Sequence, residues 1–360
     1  MKQKMPEKKI KTYKGDYYSI NSIFGNEWAN FFILCGGREA GKSYSAMKWA
    51  INRKLKRRRG VKLYWFRLTE ASQKKLLFGN ASDLIDPDLR RKYGVKTMVK
   101  GNKVLTYKEE KVKTKNGKEK IEKKDVSEFC RVMACSTFYN DKGIGYFDNE
   151  FKGEYIVILD EMNREDGEQN RFDIVYSFTN QLENVLRSVH CNVKVIMIGN
   201  TLDEASDILA AFNFIPDGFG RFYLKRKHAV IDNIMPSEKY KERRKKALAN
   251  QLCGDASTFT NEVDIDRSLL VNKRKAKKIE SIIKFTKKKS EWFSLYNGGI
   301  IKGYSGESCK DSIAMRQYID EIFDKRKFDM VIDIFNVRGF TFTNLSTFKR
   351  FQKQLRLLKK

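Results

Sequence analysis

Short, almost continuously apolar runs recur along the first two-thirds of the chain, and each ends at a small or charged residue. The first, Phe31-Phe32-Ile33-Leu34-Cys35, leads into a glycine-bearing stretch, after which Lys42 to Leu55 continues at helical composition without Pro or Gly. Val61–Arg67 (VKLYWFR), Phe129–Ala134, Tyr155–Leu159 and Val193–Ile198 are further runs of strand length, the last apolar except for Lys194. Phe172–Arg187 reads as a helix. A strand buried on both faces carries no polar alternation, and such strands alternating with helices predict a parallel sheet covered on both sides. The expectation is an α/β domain over about residues 25–232.

Two stretches break this pattern. From about Gly94 to Val126 the chain is polar, with turn signals at Lys100-Gly101-Asn102 and Lys115-Asn116-Gly117, so it reads as a basic β-hairpin inserted into the domain. Beyond Asp232 the composition changes again. Pro236–Lys289 holds 16 basic against 7 acidic residues, net +9, and reads as a partly helical basic linker. Trp292–Tyr296 and Ile300–Tyr304 then flank Asn297-Gly298-Gly299, a hairpin signal. A helix over Ile313–Phe323, a strand over Met330–Phe335 and a terminal basic helix over Leu345–Leu358 complete a small α+β domain.

Composition sharpens the picture. A chain of 360 residues with 41% hydrophobic and 12% aromatic residues has length and apolar content for two domains. Its 73 basic and 45 acidic residues give a net charge of +28, for which a nucleic acid is the natural partner. No apolar run approaches the ~18 residues of a spanning helix, and Met1–Lys14 is polar and Lys-rich, unlike a signal peptide; no membrane association is expected. The six cysteines (Cys35, Cys130, Cys135, Cys191, Cys253, Cys309) form no CxxC pair, and His190 and His228 are the two histidines. A zinc site is therefore not expected, and reduced, buried thiols are.

The glycine-bearing stretch carries the chemistry. Gly36-Gly37-Arg38-Glu39-Ala40-Gly41-Lys42-Ser43 satisfies the Walker A spacing GxxxxGK[ST] in its required context, after a strand and opening a helix. Glycines let the backbone curl so that N–H groups and the helix N-terminus face a phosphate. Lys42 reaches the β- and γ-phosphates of ATP, and the Ser43 hydroxyl ligates Mg²⁺. Asp160 ends an apolar strand, where a Walker B acid sits to position that metal, and Glu161 follows as the residue that polarises the attacking water. Asn200, after Val193–Gly199, is placed to sense the γ-phosphate. Arg67, ending the second strand, is placed to orient Glu161 or contact phosphate in cis. Ring motors complete such sites with an arginine from a neighbour; Arg187, Arg164 and Arg171 are the candidates by spacing.

This tandem resembles the P-loop class with an additional strand and a catalytic glutamate. The run from Gly36 through Ser43-Tyr44-Ser45-Ala46-Met47-Lys48 resembles more closely the DNA-packaging ATPase of small, protein-primed, short-tailed phages (Picovirinae type), where an arginine inside the P-loop and a Lys-Ser-Tyr continuation recur. Arg67, Lys100-Gly101, Leu159-Asp160-Glu161 with Arg164-Glu165, Val185-Leu186-Arg187, Gly199-Asn200 and Tyr296-Asn297-Gly298 keep the order and spacing of that family. The resemblance covers nearly the whole chain. It implies a homo-oligomeric ring, a pentamer, at the portal vertex of an empty procapsid in the host cytoplasm, absent from the mature virion and pushing double-stranded DNA inward. It assigns the trans-acting arginine to Arg187 and adds a structural packaging RNA as a possible tether. One departure is clear: Leu68-Thr69-Glu70 stand where the family has an intersubunit lysine, and the next lysine is Lys74.

The last part of the chain resembles the ribonuclease-H-like domain of phage terminases. Its hairpin strands lack the aspartates that hold two metal ions in nucleases of that fold, and Asp333 stands nearly alone, so no nuclease activity is expected. The resulting division is 1–232 as a P-loop ATPase domain with a basic hairpin near 94–127, 233–280 as a basic linker, and 281–360 as a nucleic-acid-binding, vestigial nuclease-like domain. Two rival functions remain at this stage. A phage replication helicase or loader would act on single strands through stacking aromatics. A scaffold using ATP only as a structural ligand would have no need of Glu161.

Overall fold

The computed structural model describes residues 8–9, 17–56, 60–113, 119–143, 151–163, 172–187, 192–200, 206–212, 214–216, 218–248, 269–271, 275, 279–284, 291–305, 319–321, 325–343 and 345–358. The chain divides into two units, residues 1–208 with 218–263 and residues 209–217 with 264–360.

The elements of the first unit are, in chain order, β1 (Lys8–Lys9), β2 (Phe31–Cys35), α1 (Lys42–Lys56), β3 (Val61–Arg67), α2 (Glu70–Ala81), α3 (Pro87–Tyr93), β4 (Lys96–Lys100), β5 (Lys103–Lys113), β6 (Glu119–Ala134), β7 (Glu154–Asp160), α4 (Ile174–Leu186), β8 (Val193–Gly199), α5 (Asp207–Ala211, whose residues from Leu209 on are counted in the second unit), β9 (Gly220–Leu224), β10 (Ala229–Asn233) and α6 (Glu238–Lys245). The strands form one sheet in the order β1-β9-β10-β2-β8-β7-β3-β6-β5-β4. From β10 to β6 every neighbouring pair is parallel. The apolar runs behave as their composition predicts, because a central strand is buried on both faces. Phe32 and Leu34 share one face with Leu63, Trp65, Ile156, Ile158, Ile196 and Ile198, and α1 covers it with Met47, Ala50 and Ile51. On the other face Phe66 meets Phe178 of α4 edge to face, centroids 6.0 Å apart. Each fully buried Ile, Leu or Phe contributes about 1.5–3 kcal/mol.

The expected hairpin takes a different form. Glu119–Ala134 is one continuous strand: its first part pairs antiparallel with β5, and its end, Arg131–Ala134, pairs parallel with Tyr64–Arg67. The stretch read as an insertion and the strand read after it are thus one element at the sheet's edge. No Gly or Pro interrupts residues 119–134, and register shifts near Leu105 and Thr106 absorb the twist. Lys–Glu and Lys–Asp pairs, Lys96–Glu109, Lys108–Asp125 and Lys124–Glu110 among them, cross between strands of this ribbon. The Lys115-Asn116-Gly117 turn lies outside the described residues.

A buried ionic knot joins the N-terminal segment to the far side of P-loop strand β2. Arg221 of β9 donates to Asp232 of β10 from Nε at 3.2 Å and Nη2 at 2.5 Å, and to the Ser22 carbonyl and hydroxyl at 2.8 and 2.9 Å. Tyr18 donates to the same Asp232 carboxylate at 2.9 Å. Burial first, and then the neighbouring Asp232 charge, hold the Tyr18 phenol well above its usual range. Cys35, Cys130 and Cys135 are free and buried, with burial pushing Cys35 up to about 12; the other three cysteines lie outside the described residues.

The second unit carries β11 (Ile279–Lys284), β12 (Glu291–Tyr296), β13 (Ile300–Ser305), β14 (Ile319–Glu321), α7 (Lys325–Asn336), β15 (Thr341–Phe342) and α8 (Leu345–Leu358). Its sheet runs β14-β11-β12-β13-β15. The β12–β13 turn falls at Asn297-Gly298-Gly299 as expected, with both glycines at positive φ. Two expectations fail. Met330–Phe335 is helical, because Val331, Ile334 and Phe335 recur at 3–4-residue spacing and pack on the Phe293–Phe351 core. Within the expected helix Ile313–Phe323, residues 319–321 form β14 beside β11, and the others lie outside the described residues apart from these three. Asp333 accordingly sits exposed on a helix.

Arg221→Met is expected to destabilise the first unit by about 3–5 kcal/mol, since it leaves the Asp232 charge buried without its partner. A thermal melt that leaves the midpoint within a degree of wild type would remove the knot's structural role.

Candidate functional site

Strand register sets the site. Cys35 lies opposite Gly199, and Asp160 lies opposite Ile198, so β2, β8 and β7 end along one edge of the sheet. One strand, β8, separates the P-loop strand from the strand that carries Asp160, which is the additional-strand order expected from the sequence. At this edge opens a cleft of about 430 Å³ lined by Arg38, Glu39, Ala40, Gly41, Lys42, Ser43, Tyr44, Asp160, Glu161, Ile198, Gly199 and Asn200.

The loop itself is held from within. Gly41 has φ +85°, a conformation natural to glycine, and a Cβ there would meet Tyr17 at 3.0 Å. Lys42 is buried, and its ammonium donates to the carbonyls of Gly36 and Gly37 at 2.8 and 2.7 Å. Burial pushes its pKa down to about 8; Cys35 and Asp160 oppose that shift and Arg38 adds to it. The ammonium is thus parked on backbone oxygens that cannot fully replace water.

The acids are held by one arginine. Ser43 Oγ donates to Asp160 Oδ1 at 2.8 Å. Arg67, at the end of β3, donates to Asp160 Oδ2 at 2.9 Å and also pairs with Glu161 Oε2. Its guanidinium therefore bridges the two carboxylates, one buried and one exposed. Ser43 and Asp160 present oxygens at one point, the donor type that Mg²⁺ takes together with phosphate and water; these residues fit that ion. Among the described residues no cluster of three or more His, Cys, Asp or Glu is set to hold a metal.

Arg187 does not line its own chain's cleft. It caps the C-terminus of α4, exposed, with φ 47°. Asn200 lines the cleft mouth. Arg164 and Arg171 lie outside the described residues.

Sequence reasoning missed a third wall of the P-loop. Residues 236–246 read as basic linker, yet Tyr240, Arg243 and Arg244 of α6 all reach Arg38 or Glu39. The signal available was the four-residue spacing of Tyr240 and Arg244, which places them on one helical face.

No protein-family model and no curated protein matches this chain. Solved structures do. The Phi-28 gp11 DNA packaging motor shares 13% identity, with 96% of this chain and 98% of that chain covered at a TM-score of 0.56. The bacteriophage Phi-29 viral genome packaging motor assembly shares 15% identity over 96% and 100% of the two chains, at a TM-score of 0.58. At such identities the likeness is one of fold. The chain has the fold of phage DNA packaging motors over nearly its full length, as the sequence resemblance implied.

If the cleft takes a triphosphate, the charge of that ligand favours the protonated Lys42 amine. Binding should therefore take up a proton above about pH 8, and affinity for an ATP analogue should fall roughly tenfold per further pH unit. Calorimetry at pH 8.5 in buffers of different ionisation heat measures this. Binding without proton uptake would contradict it.

Proposed function

We propose that this chain is the ATP-hydrolysing subunit of a homo-oligomeric ring that drives double-stranded viral DNA through a portal into a preformed procapsid. The observation that carries the reading is the bridged acid pair: Arg67 holds Asp160 and Glu161 at the mouth of the P-loop cleft, with Ser43 bonded to the same Asp160. A binding scaffold has no use for a carboxylate held ready beside a phosphate loop.

In this reading Lys42 and the loop amides bind the β- and γ-phosphates. Ser43 and Asp160 would hold Mg²⁺, which would supply charge neutralisation at the phosphate oxygens. Glu161 orients and accepts a proton from the attacking water. Arg67 bonds one carboxylate oxygen of Glu161 and so orients the other toward that water, and Asn200, which lines the cleft, reports the γ-phosphate. Arg187, exposed on its own subunit, is the arginine supplied to the neighbour; its placement away from its own cleft supports a role in trans.

The polyanion partner follows from charge. The run Arg53-Lys54-Leu55-Lys56-Arg57-Arg58-Arg59, the β5–β6 ribbon, the basic linker and Lys349–Lys360 carry most of the net +28. A motor that slides holds phosphates without reading bases, with steep salt dependence. We assign residues 1–232 together with α6 to the ATPase, the basic stretch that follows, to about residue 280, to a linker, and 281–360 to a nucleic-acid-binding domain that does not cut. The antiparallel strands β11–β13 flanked by parallel β14 support the likeness to a ribonuclease-H-like sheet. A structural RNA at the procapsid is a further partner for that domain. The ring, a pentamer by resemblance, works in the host cytoplasm at the portal vertex and leaves before the virion matures. Among the described residues no helix is long and apolar enough to cross a membrane.

Glu161→Gln should keep ATP binding and lose turnover by roughly 10²–10⁴-fold, the range of a lost general base; a variant that still turns over like wild type removes Glu161 from the mechanism. Arg187→Ala should abolish the part of the ATPase rate that rises with protein concentration, and an unaltered rise rejects the trans assignment. The reading as a whole is tested by ATPase assays with duplex DNA, single strands and procapsids carrying their portal. Stimulation by procapsid plus duplex is expected, and stimulation by single strands alone transfers the protein to the helicase class.

A further inference from the structure

A loop that binds a polyphosphate here contains a carboxylate, Glu39, and it holds that residue at φ 59°, outside the regions an L-residue prefers. What fixes this conformation comes from α6. Tyr240 is fully buried, and its hydroxyl donates to the Arg38 carbonyl at 2.8 Å. Arg243 donates to the Glu39 carbonyl at 2.9 Å and lies 4.3 Å from the centre of the Tyr17 ring. Arg244, its side chain 4% exposed, pairs with Glu39 Oε2 at 2.6 Å.

We infer that α6 is a positioning element of the nucleotide site, in which Tyr240 orients the Arg38–Glu39 peptide and Arg244 neutralises Glu39 so that the loop accepts a triphosphate. The inference rests on the nucleotide reading above. Two physical arguments carry it. In a trans peptide the C=O and the following N–H point in opposite directions. Drawing the Arg38 carbonyl toward Tyr240 therefore turns the Glu39 N–H away from α6, freeing it as a phosphate donor. The second argument is charge. An unpaired carboxylate on the loop repels the incoming anion, and Arg244, itself buried, offsets that repulsion by pairing with the solvent-facing carboxylate of Glu39. Tyr240 and Arg244 lie one helical turn apart, so one face of α6 performs both tasks.

Because the same helix leads into the basic linker, its hold on the loop is also a route by which occupancy of the cleft reaches that linker. A ligand that tightens or loosens the Arg38–Glu39 segment must change the contacts of α6 by the same coupling free energy, since linkage is reciprocal.

The test uses the full chain, titrated with a fluorescent non-hydrolysable ATP analogue and assayed for steady-state ATPase. Arg244→Gln should weaken analogue binding roughly tenfold, about the effect of one charge contact at the protein surface, with the loss appearing in KM more than in kcat. Combining it with Glu39→Gln should restore affinity to within about threefold of wild type, because the repelling charge is then gone. A double variant as weak as Arg244→Gln would make Arg244 a packing residue and overturn the inference. Tyr240→Phe keeps the buried ring and loses one hydroxyl, so it guards against a misfolded arginine variant. It should weaken binding severalfold at an unchanged thermal midpoint, and unchanged affinity would equally overturn the inference. Wild-type protein that fails to bind the analogue would defeat the nucleotide reading instead, whereas wild-type binding matched by every variant would defeat the role of α6 alone.

Discussion

The 2.8 Å hydrogen bond from Ser43 to Asp160 joins the start of α1, which follows β2, to the end of β7, and in the sheet β8 lies between those two strands. It forms because β2, β8 and β7 pair in parallel and in a register that ends all three at the same edge. A slip of one residue in β7 would turn Asp160 to the opposite face of the sheet. The continuous apolar character of these strands forbids that slip least by face pattern, since both faces are buried, and most by shape. Ile156 and Ile158 pack with α1's side of the sheet, and Gly199 leaves room for Met162 immediately beyond the acids. A Cβ on Gly199 would come within 2.7 Å of the Met162 methyl, so a larger residue there would displace that side chain.

The parts of the molecule legible in the sequence were those where local chemistry and burial agree. The P-loop, the strands at residues 31–35 and 61–67, the Asp160-Glu161 pair and the terminal helix at 345–358 carry signals that tertiary packing does not override. What the sequence concealed came from long-range context. Glu119–Ala134 is polar at one end and apolar at the other because it leaves a solvated ribbon and enters the sheet, so its composition changes inside a single strand. Val331–Phe335 is apolar enough for a buried strand, and the helical spacing of its contacts decides otherwise. Most consequentially, Tyr240 and Arg244 sit inside a run whose lysines suggest a solvated segment, yet both are buried.

Three of the nine non-glycine residues with positive φ among the described residues belong to the proposed chemistry. Glu39, Glu161 and Arg187 all have positive φ, at 59°, 61° and 47°. Each such residue costs on the order of 1–2 kcal/mol relative to a relaxed backbone. Partners outside the residue hold at least two of them: Arg243 and Arg244 on Glu39, and Arg67 on Glu161. These are positions where the surrounding fold determines side-chain direction more firmly than the local sequence does.

The pairing of β2 with β8 and β10 has a consequence for how the protein is made. The phosphate loop follows a strand whose two neighbours, at residues 193–199 and 229–233, are synthesised long after it, and α6 comes later still. At ~5–20 residues per second, roughly ten to forty seconds of translation separate Cys35 from Asn233. Until Val193–Gly199 is made, Phe31–Cys35 is an apolar segment without either partner strand, and until Ala229–Asn233 follows it has only one. Nucleotide therefore cannot template the early stages of folding. An apolar strand edge left open in this way is a site for association with other chains until its own partners arrive.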